Sequence, residues 1–148
     1  MEIKRLQRDD LVEAMKLTER VFMEFDAPDY SPEGTKNFLE FIYIDNIYTL
    51  FDNGQLHCYG YYIQNQLVGI IATTGLNHIC LLFVDREYHR QGIATKLFTE
   101  ILKYRTNDQQ ITVHSSPYAI PVYSHWGFVA SSEEQLVDGM RFTPMAYK

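Results

Sequence analysis

The sequence predicts an α/β fold in which helices flank a central, mostly antiparallel sheet. Segments with apolar residues at helical spacing alternate with short β-prone runs along the chain. Two of those runs, residues 56–63 and 67–74, are separated by three polar residues, which is typical of an antiparallel hairpin. A third run, residues 78–84, is apolar almost throughout, and this continuity indicates a central strand covered on both faces.

The first part of the chain contains a short strand and two helices. Residues 1–7 alternate weakly and predict the strand, and Asp10 with Glu13 forms a capping-box pattern after it. Ser31 and Pro32, a cap and a first-turn proline, begin a second helix. Apolar residues at helical spacing predict the first helix: Leu11, Met15, Phe22 and Phe25.

The second part of the chain alternates further helices and strands. Residues 92–105 have the apolar spacing of a helix, and residues 110–114 form a β-prone run. A short helix over residues 119–126 ends at a glycine, a common helix terminator. The last two strands, residues 128–130 and 140–143, are joined by an acidic loop. The predicted order is strand, two helices, three strands, helix, strand, helix and two strands.

Length and composition limit the class of protein. A chain of 148 residues with 46% hydrophobic and 22% charged residues suits a single globular domain over residues 1–148. A net charge of −6 argues against a nucleic-acid partner. The chain has neither a signal-peptide core nor an apolar run of about 20 residues, so we expect no membrane partner and a cytoplasmic location. Cysteine and histidine spacing predicts no metal site.

The run from Leu81 to Leu97 is the strongest functional pattern. A buried strand leads through a polar turn into an amphipathic helix, and Gly92 and Ala94 let a ligand approach the backbone N–H groups. The positive end of a helix suits a pyrophosphate. The run fits neither the Walker loop nor the dinucleotide fingerprint. Four side chains add positive charge near the turn: Arg86, His89, Arg90 and Lys96.

This run resembles the acyl-CoA-binding motif of the Gcn5-related N-acetyltransferases (the GNAT family), Gln/Arg-x-x-Gly-x-Gly/Ala. Here it reads His89-Arg90-Gln91-Gly92-Ile93-Ala94, with His in place of the first Gln or Arg. Residues 115–128 resemble the second half-site of the family, in which a Tyr stands shortly before a Gly-Phe pair, as Tyr123 does here. The order of elements is also similar to that of the family over essentially the whole chain.

The resemblance implies an N-acetyltransferase that uses acetyl-CoA as the acyl donor and a primary amine as the direct acceptor. The donor is expected between two parallel strands that splay apart at a bulge near residues 82–84. Because many relatives pair through their C-terminal strands, a homodimer is a further expectation. The residues expected to hold acetyl-CoA are Leu82, Phe83, Val84, His89, Arg90, Gln91, Gly92, Ile93, Ala94, Thr95 and His114.

Two residues are candidates for moving protons. Tyr123 is the predicted acid that protonates the departing thiolate, and its alternative role is to pack the short helix onto the sheet. His78 is the predicted base, because it enters the central strand where histone-acetylating relatives have a catalytic Glu. Its alternative role is that of a strand-edge residue bonded to a carbonyl. Glu24 is a rival base or a solvated carboxylate at a helix end.

The acceptor is expected to meet the segment around residues 22–45. Glu24, Asp26 and Tyr30 are the predicted substrate-binding residues, because acidic and aromatic groups suit a cationic, partly apolar amine. A polyamine, an amino sugar, an amino acid and a peptide N-terminus all remain open, so the partner is a small-molecule or peptide amine. Two alternative functions are a non-catalytic acyl-CoA sensor or scaffold, and an enzyme that uses a different acyl-CoA.

Overall fold

The computed structural model describes residues 1–105 and 109–147. Its strands are β1 (Glu2–Arg5), β2 (Leu56–Ile63), β3 (Gln66–Thr74), β4 (His78–Val84), β5 (Ile111–Ser115), β6 (Phe128–Ala130), β7 (Gln135–Val137) and β8 (Met140–Tyr147). Its α-helices are α1 (Leu11–Phe25), α2 (Pro32–Phe41), α3 (Ile44–Asp52), α4 (Ile93–Leu102) and α5 (Ile120–His125). Short 3₁₀ turns cover Arg8–Asp10, Ala27–Asp29 and Arg86–Tyr88.

The sheet has the order β1-β2-β3-β4-β5-β8-β6, and β7 pairs with β8. Neighbouring strands run antiparallel except for β4 and β5, which run parallel. The predicted α/β fold with a mostly antiparallel central sheet is therefore confirmed. No helix within the described residues is both long enough and apolar enough to span a membrane.

Each face of the sheet has its own apolar core. In β3, Ile70 packs with α1 and α3, while the next residue, Ile71, packs with α4. This alternation follows from the two-residue period of a strand. Because both faces are covered, β3 is buried almost throughout. Strand β4, for which the continuous apolar run predicts a central position, lies between β3 and β5 and has buried and half-buried residues.

The parallel strands β4 and β5 diverge soon after they meet. They pair only at His78 with Thr112 and at Ile79 with Val113. On the other side of β4, Thr73 pairs with Ile79 and Ala72 with Leu81, so Cys80 is the extra residue of a bulge. The predicted splay is present, but the predicted bulge position near residues 82–84 is wrong. The divergence leaves a gap between two central strands, and the candidate site lies there.

Several local predictions need correction. Helix α3 (Ile44–Asp52) was not predicted, although its apolar residues Ile44, Ile47, Tyr48 and Phe51 have helical spacing. Strand β7 was not predicted because all three of its residues are exposed and show no alternation. Helix α4 ends at Leu102, three residues before the predicted end at Arg105.

Of the two predicted helix caps, one is wrong and the other is confirmed. The Asp10–Glu13 capping box is wrong, since the Asp10 carboxylate accepts a hydrogen bond from the backbone N–H of Gln7 at 2.8 Å instead of capping α1. The cap at the start of α2 is confirmed, because the Ser31 hydroxyl accepts from the N–H of Gly34 at 3.1 Å.

Candidate active site

A cleft of about 910 Å³ occupies the gap between β4 and β5. Its walls come from the end of α1, the second half of β4, the turn before α4, the end of β5 and helix α5. Most of the predicted donor-binding residues line it together: Leu82, Phe83, Val84, His89, Arg90, Gly92, Ile93, Ala94, Thr95 and His114. The fold therefore brings both sequence motifs to the same cleft.

The turn before α4 presents backbone N–H groups to one end of the cleft. Gly92 caps the helix in a left-handed conformation, with φ 79°, and a Cβ built on it would meet no atom within 4 Å. The first-turn N–H groups of a helix have no acceptor within the helix. Within residues 1–105 and 109–147, no side chain or loop carbonyl accepts from the N–H groups of residues 93–95. These free donors and the positive helix end suit an anion.

His89 stabilises this turn from within. Its Nε2 atom lies 2.7 Å from the carbonyl oxygen of Val84, so that nitrogen carries the proton and donates. Its ring also contacts the ring of Phe25, with centroids 4.9 Å apart. The His that replaces Gln or Arg in the motif therefore ties the turn to the end of β4.

Gln91 of the motif and Lys96 of helix α4 do not line the cleft. The side-chain amide of Gln91 donates to the carbonyl of Glu87 at 3.4 Å. Lys96 was expected to add positive charge to the turn, but its ammonium lies 3.4 Å from the Tyr61 hydroxyl of β2. Of the four side chains expected to add positive charge, Arg86, His89 and Arg90 line the cleft.

Tyr123 lies inside the cleft on helix α5. It is 4% exposed, and its ring packs edge-on against Trp126 and Phe128. Burial, with the nearby charge of Asp26 as a smaller cause, raises the pKa of Tyr123 far above its ordinary value. The phenol therefore holds its proton throughout the physiological range. None of the described residues forms a hydrogen bond with this hydroxyl.

His78 lies outside the cleft lining. Its Nδ1 atom is 2.8 Å from the Thr112 hydroxyl, and its ring meets the ring of His114 edge-on, with centroids 5.0 Å apart. Burial, followed by the neighbouring His114, lowers the pKa of His78. The structure places this predicted base beside the first, paired residues of β4 and β5, and not in the gap that follows them.

Only two of the three predicted substrate-binding residues line the cleft. Asp26 and Tyr30 line the cleft. Glu24 does not line it and pairs with Arg86, with an N–O distance of 2.8 Å. Burial is the main cause that raises the pKa of Asp26 from 3.8 to about 7, and the charge of Asp29 adds to it. A hydrogen bond from Ser116 opposes that rise.

Sequence reasoning missed much of the cleft wall, including Phe25, Cys80, Ser116 and Tyr118. Ser116 and Tyr118 stand inside the second motif, but nothing in the sequence pairs them with the end of α1. The structure does so, because Ser116 donates to Asp26 and the ring of Tyr118 lies 5.1 Å from that of Phe25. Among the residues described, no group of three His, Cys, Asp or Glu side chains is arranged as a metal site.

Comparison with known proteins identifies the family. A family model for an acetyltransferase (GNAT) domain matches residues 26–148. The uncharacterized N-acetyltransferase YafP of Escherichia coli K12 is 32% identical over 74 residues, which are 50% of this chain and 47% of that protein. The chain thus spans about half the length of this curated relative.

Solved structures share the fold across almost the full chain. A GCN5-related N-acetyltransferase from Rhodopseudomonas palustris has a TM-score of 0.85 at 18% identity, covering 99% of this chain and 94% of that chain. The PaiA N-acetyltransferase of Thermoplasma acidophilum, solved in complex with coenzyme A, has a TM-score of 0.78 at 18% identity, covering 99% and 98%. Because the family model covers most of the residues, the chain belongs to the GNAT family of acetyltransferases.

Proposed function

We propose that this protein transfers an acetyl group from acetyl-CoA to a primary amine by direct attack. The observation that carries the proposal is the cleft between β4 and β5, which has free helix N–H groups at one end and a buried phenol inside. An acyltransferase needs both features, one to hold a charged donor and one to protonate its leaving group.

The residues of the cleft fit a coenzyme A thioester. The N–H groups of residues 93–95 and the Arg90 side chain suit the pyrophosphate, since they combine donors with positive charge. The backbone of residues 82–84 has no pairing with β5. The Val84 carbonyl accepts from His89, and the other polar groups on that side are open to the amides of a pantetheine arm. Acetyl-CoA would supply the acetyl group as an activated thioester.

Tyr123 is proposed as the acid. Its hydroxyl stays protonated at neutral pH because burial raises its pKa, and it lies in the cleft without a hydrogen-bond partner among the described residues. A proton held at the Tyr123 Oη atom is available to the sulfur that leaves. His78, the predicted base, is poorly placed for the opposite task, because its ring is directed to Thr112 and His114.

A cationic amine is the proposed acceptor. Asp26 supplies negative charge at the cleft wall, and Tyr30 and Tyr118 supply aromatic surface beside it. Such surroundings attract an ammonium group through its charge and through the faces of the rings. Glu24 acts at longer range, since its charge is paired with Arg86.

Calorimetric titration with acetyl-CoA tests the donor site through Gly92→Ala. The new methyl group enters the open space before the turn, and we expect at least about a tenfold loss of affinity, or about 1.4 kcal/mol. Gly54→Ala is the matched control, since Gly54 has φ 81°, also meets no atom within 4 Å, and is absent from the cleft lining. Both variants carry the same backbone strain, so equal affinity in the two would contradict this placement of the donor.

A further inference from the structure

We propose that Asp26 is the base that takes the proton from the acceptor ammonium, and that Ser116 is the positioning residue for its carboxylate. This inference rests on the proposed acetyl transfer and names a residue for the step that His78 is poorly placed to perform. It changes the expected role of Asp26 from holding the amine to deprotonating it.

Asp26 lines the cleft, and one of its two carboxylate oxygens accepts a hydrogen bond. Asp26 follows the last residue of α1, and its Oδ1 atom accepts a hydrogen bond from the Ser116 hydroxyl at 3.4 Å. The Ser116 oxygen in turn accepts from the N–H of Ala119 at 3.3 Å. No residue within the described ranges donates to Oδ2 of Asp26. Oδ2 is therefore available to an ammonium group in the cleft.

Asp26 lines the same cleft as the proposed acid, Tyr123. Burial is the main cause that raises the pKa values of Tyr123, Tyr30 and Tyr118, and the negative charge of Asp26 adds to each rise. The carboxylate thus lies within electrostatic reach of three phenols that line the cleft. Amide formation from an ammonium and a thioester requires a base and an acid at one reacting centre, and both residues line this cleft.

The surroundings of Asp26 suit a base near neutral pH. Burial raises its pKa most, Asp29 on the following turn raises it further, and the Ser116 hydroxyl lowers it, with a resulting value of about 7. The carbonyl end of α1 also disfavours a negative charge. Two nearby cations are engaged elsewhere, since Arg141 of β8 lies against Asp29 and Glu134, and Arg86 pairs with Glu24. The other titratable side chains that line the cleft with Asp26 are Tyr30, Cys80, Tyr88, His89, Arg90, His114, Tyr118, Tyr123 and His125.

Asp26 and Tyr123 together account for every proton that moves in this reaction. The ammonium gives one proton to Asp26 Oδ2, and the nitrogen lone pair then forms the C–N bond to the acetyl carbon as the C–S bond breaks. The sulfur keeps the electron pair of the broken C–S bond, takes the proton of Tyr123 and leaves as a thiol. The second nitrogen proton restores the phenol, and Asp26 releases its proton to solvent. The products are an N-acetyl amine, coenzyme A thiol and one proton.

The first test measures the carboxyl group itself and needs no activity. Protein labelled with ¹³C at the Asp side-chain carboxyls is titrated by NMR, and Asp26→Asn assigns the resonance. We expect a midpoint near 7 for Asp26, and a higher midpoint in Ser116→Ala because the hydroxyl that favours the charged form is gone. A midpoint near 4 in the wild-type protein would overturn the inference.

The second test is the pH dependence of kcat/KM with acetyl-CoA and the amine that gives the most thiol release in a panel of a polyamine, an amino sugar, an amino acid and a peptide. We expect the acidic limb of the profile to have the same midpoint as the NMR titration and to move to higher pH in Ser116→Ala. In Asp26→Asn the limb should disappear, and kcat/KM at pH 8 should fall at least about 100-fold. Glu19→Gln, an exposed carboxylate of α1, is the matched control and keeps the wild-type profile.

Two results would show that Asp26 is not the base. If Asp26→Asn raises KM but leaves kcat and the acidic limb unchanged, Asp26 only binds the amine. If the limb disappears in His114→Gln and persists in Asp26→Asn, the base is His114, which also lines the cleft. Both results leave acetyl transfer intact, whereas wild-type protein that binds no acetyl-CoA would remove the proposed function itself.

Discussion

Replacing Asp26 by Asn should stabilise the fold at alkaline pH. Asn has the shape of the protonated carboxyl, can still accept the hydrogen bond from Ser116, and carries no charge to bury. The native pKa of Asp26 is raised to about 7 from an ordinary value of 3.8, so between these values the native state binds the proton more tightly than the unfolded chain does. Wild-type stability from this group is therefore present at low pH and is lost as pH rises towards 7.

The size of the effect follows from the same two values. A factor of ten in proton affinity is about 1.4 kcal/mol, so the gap between 3.8 and about 7 corresponds to about 4 kcal/mol in the free energy of unfolding. Such a cost at pH 8 is large beside the stability of a typical domain, about 5–15 kcal/mol. A retained buried carboxylate of this kind is typical of a functional site.

Urea unfolding of wild-type and Asp26→Asn protein, measured from pH 4 to pH 8, tests this reasoning. The two curves should meet near pH 4 and separate to about 4 kcal/mol at pH 8, with the variant more stable. Glu19→Gln should follow the wild type within about 0.5 kcal/mol, since its carboxylate is exposed. A difference between wild type and Asp26→Asn that does not change with pH would refute the burial argument.

Three further changes have defined outcomes. Tyr123→Phe should lower kcat by about 100-fold or more while acetyl-CoA affinity in calorimetry stays within about threefold, and unchanged turnover would place the acid elsewhere. Glu24→Ala should raise KM for a cationic amine only a few-fold, because Arg86 already pairs with that carboxylate, and a large rise in steady-state assays would contradict this. Ser31→Ala should lower the free energy of unfolding by about 1 kcal/mol, because α2 loses its cap, and unchanged urea midpoints would show that the cap contributes nothing.

The sequence predicted the parts of the fold whose periodicity is strong. Strands β2, β3 and β4 and helices α1 and α4 have apolar patterns set by burial, and each lies close to its predicted range. Strand β7 buries nothing, so its pattern gave no signal. Helix α3 has apolar residues at helical spacing, but no glycine or proline separates it from α2. The bulge at Cys80 depends on the register between β3 and β4, which a single strand does not encode.

The candidate site also has a part that the sequence predicted and a part that it did not. The turn around Gly92 was predicted because its chemistry is local, with a helix start, a left-handed glycine and nearby cations. The surroundings of Asp26 were not predicted, because Ser116 lies 90 residues away along the chain and becomes its neighbour only when α1 packs beside the end of β5. His78 was expected to be the base because histone-acetylating relatives have a catalytic Glu at a similar position, and its ring is instead directed to Thr112 and His114.

The most direct measurement of the central claim is a thiol-release assay with wild-type protein and acetyl-CoA across a panel of amines, with mass spectrometry of the products. We expect coenzyme A thiol to appear in equal amount with one N-acetylated amine, and the release to fall in Tyr123→Phe. Acetyl-CoA binding without release from any amine would contradict the account and favour a non-catalytic acyl-CoA sensor.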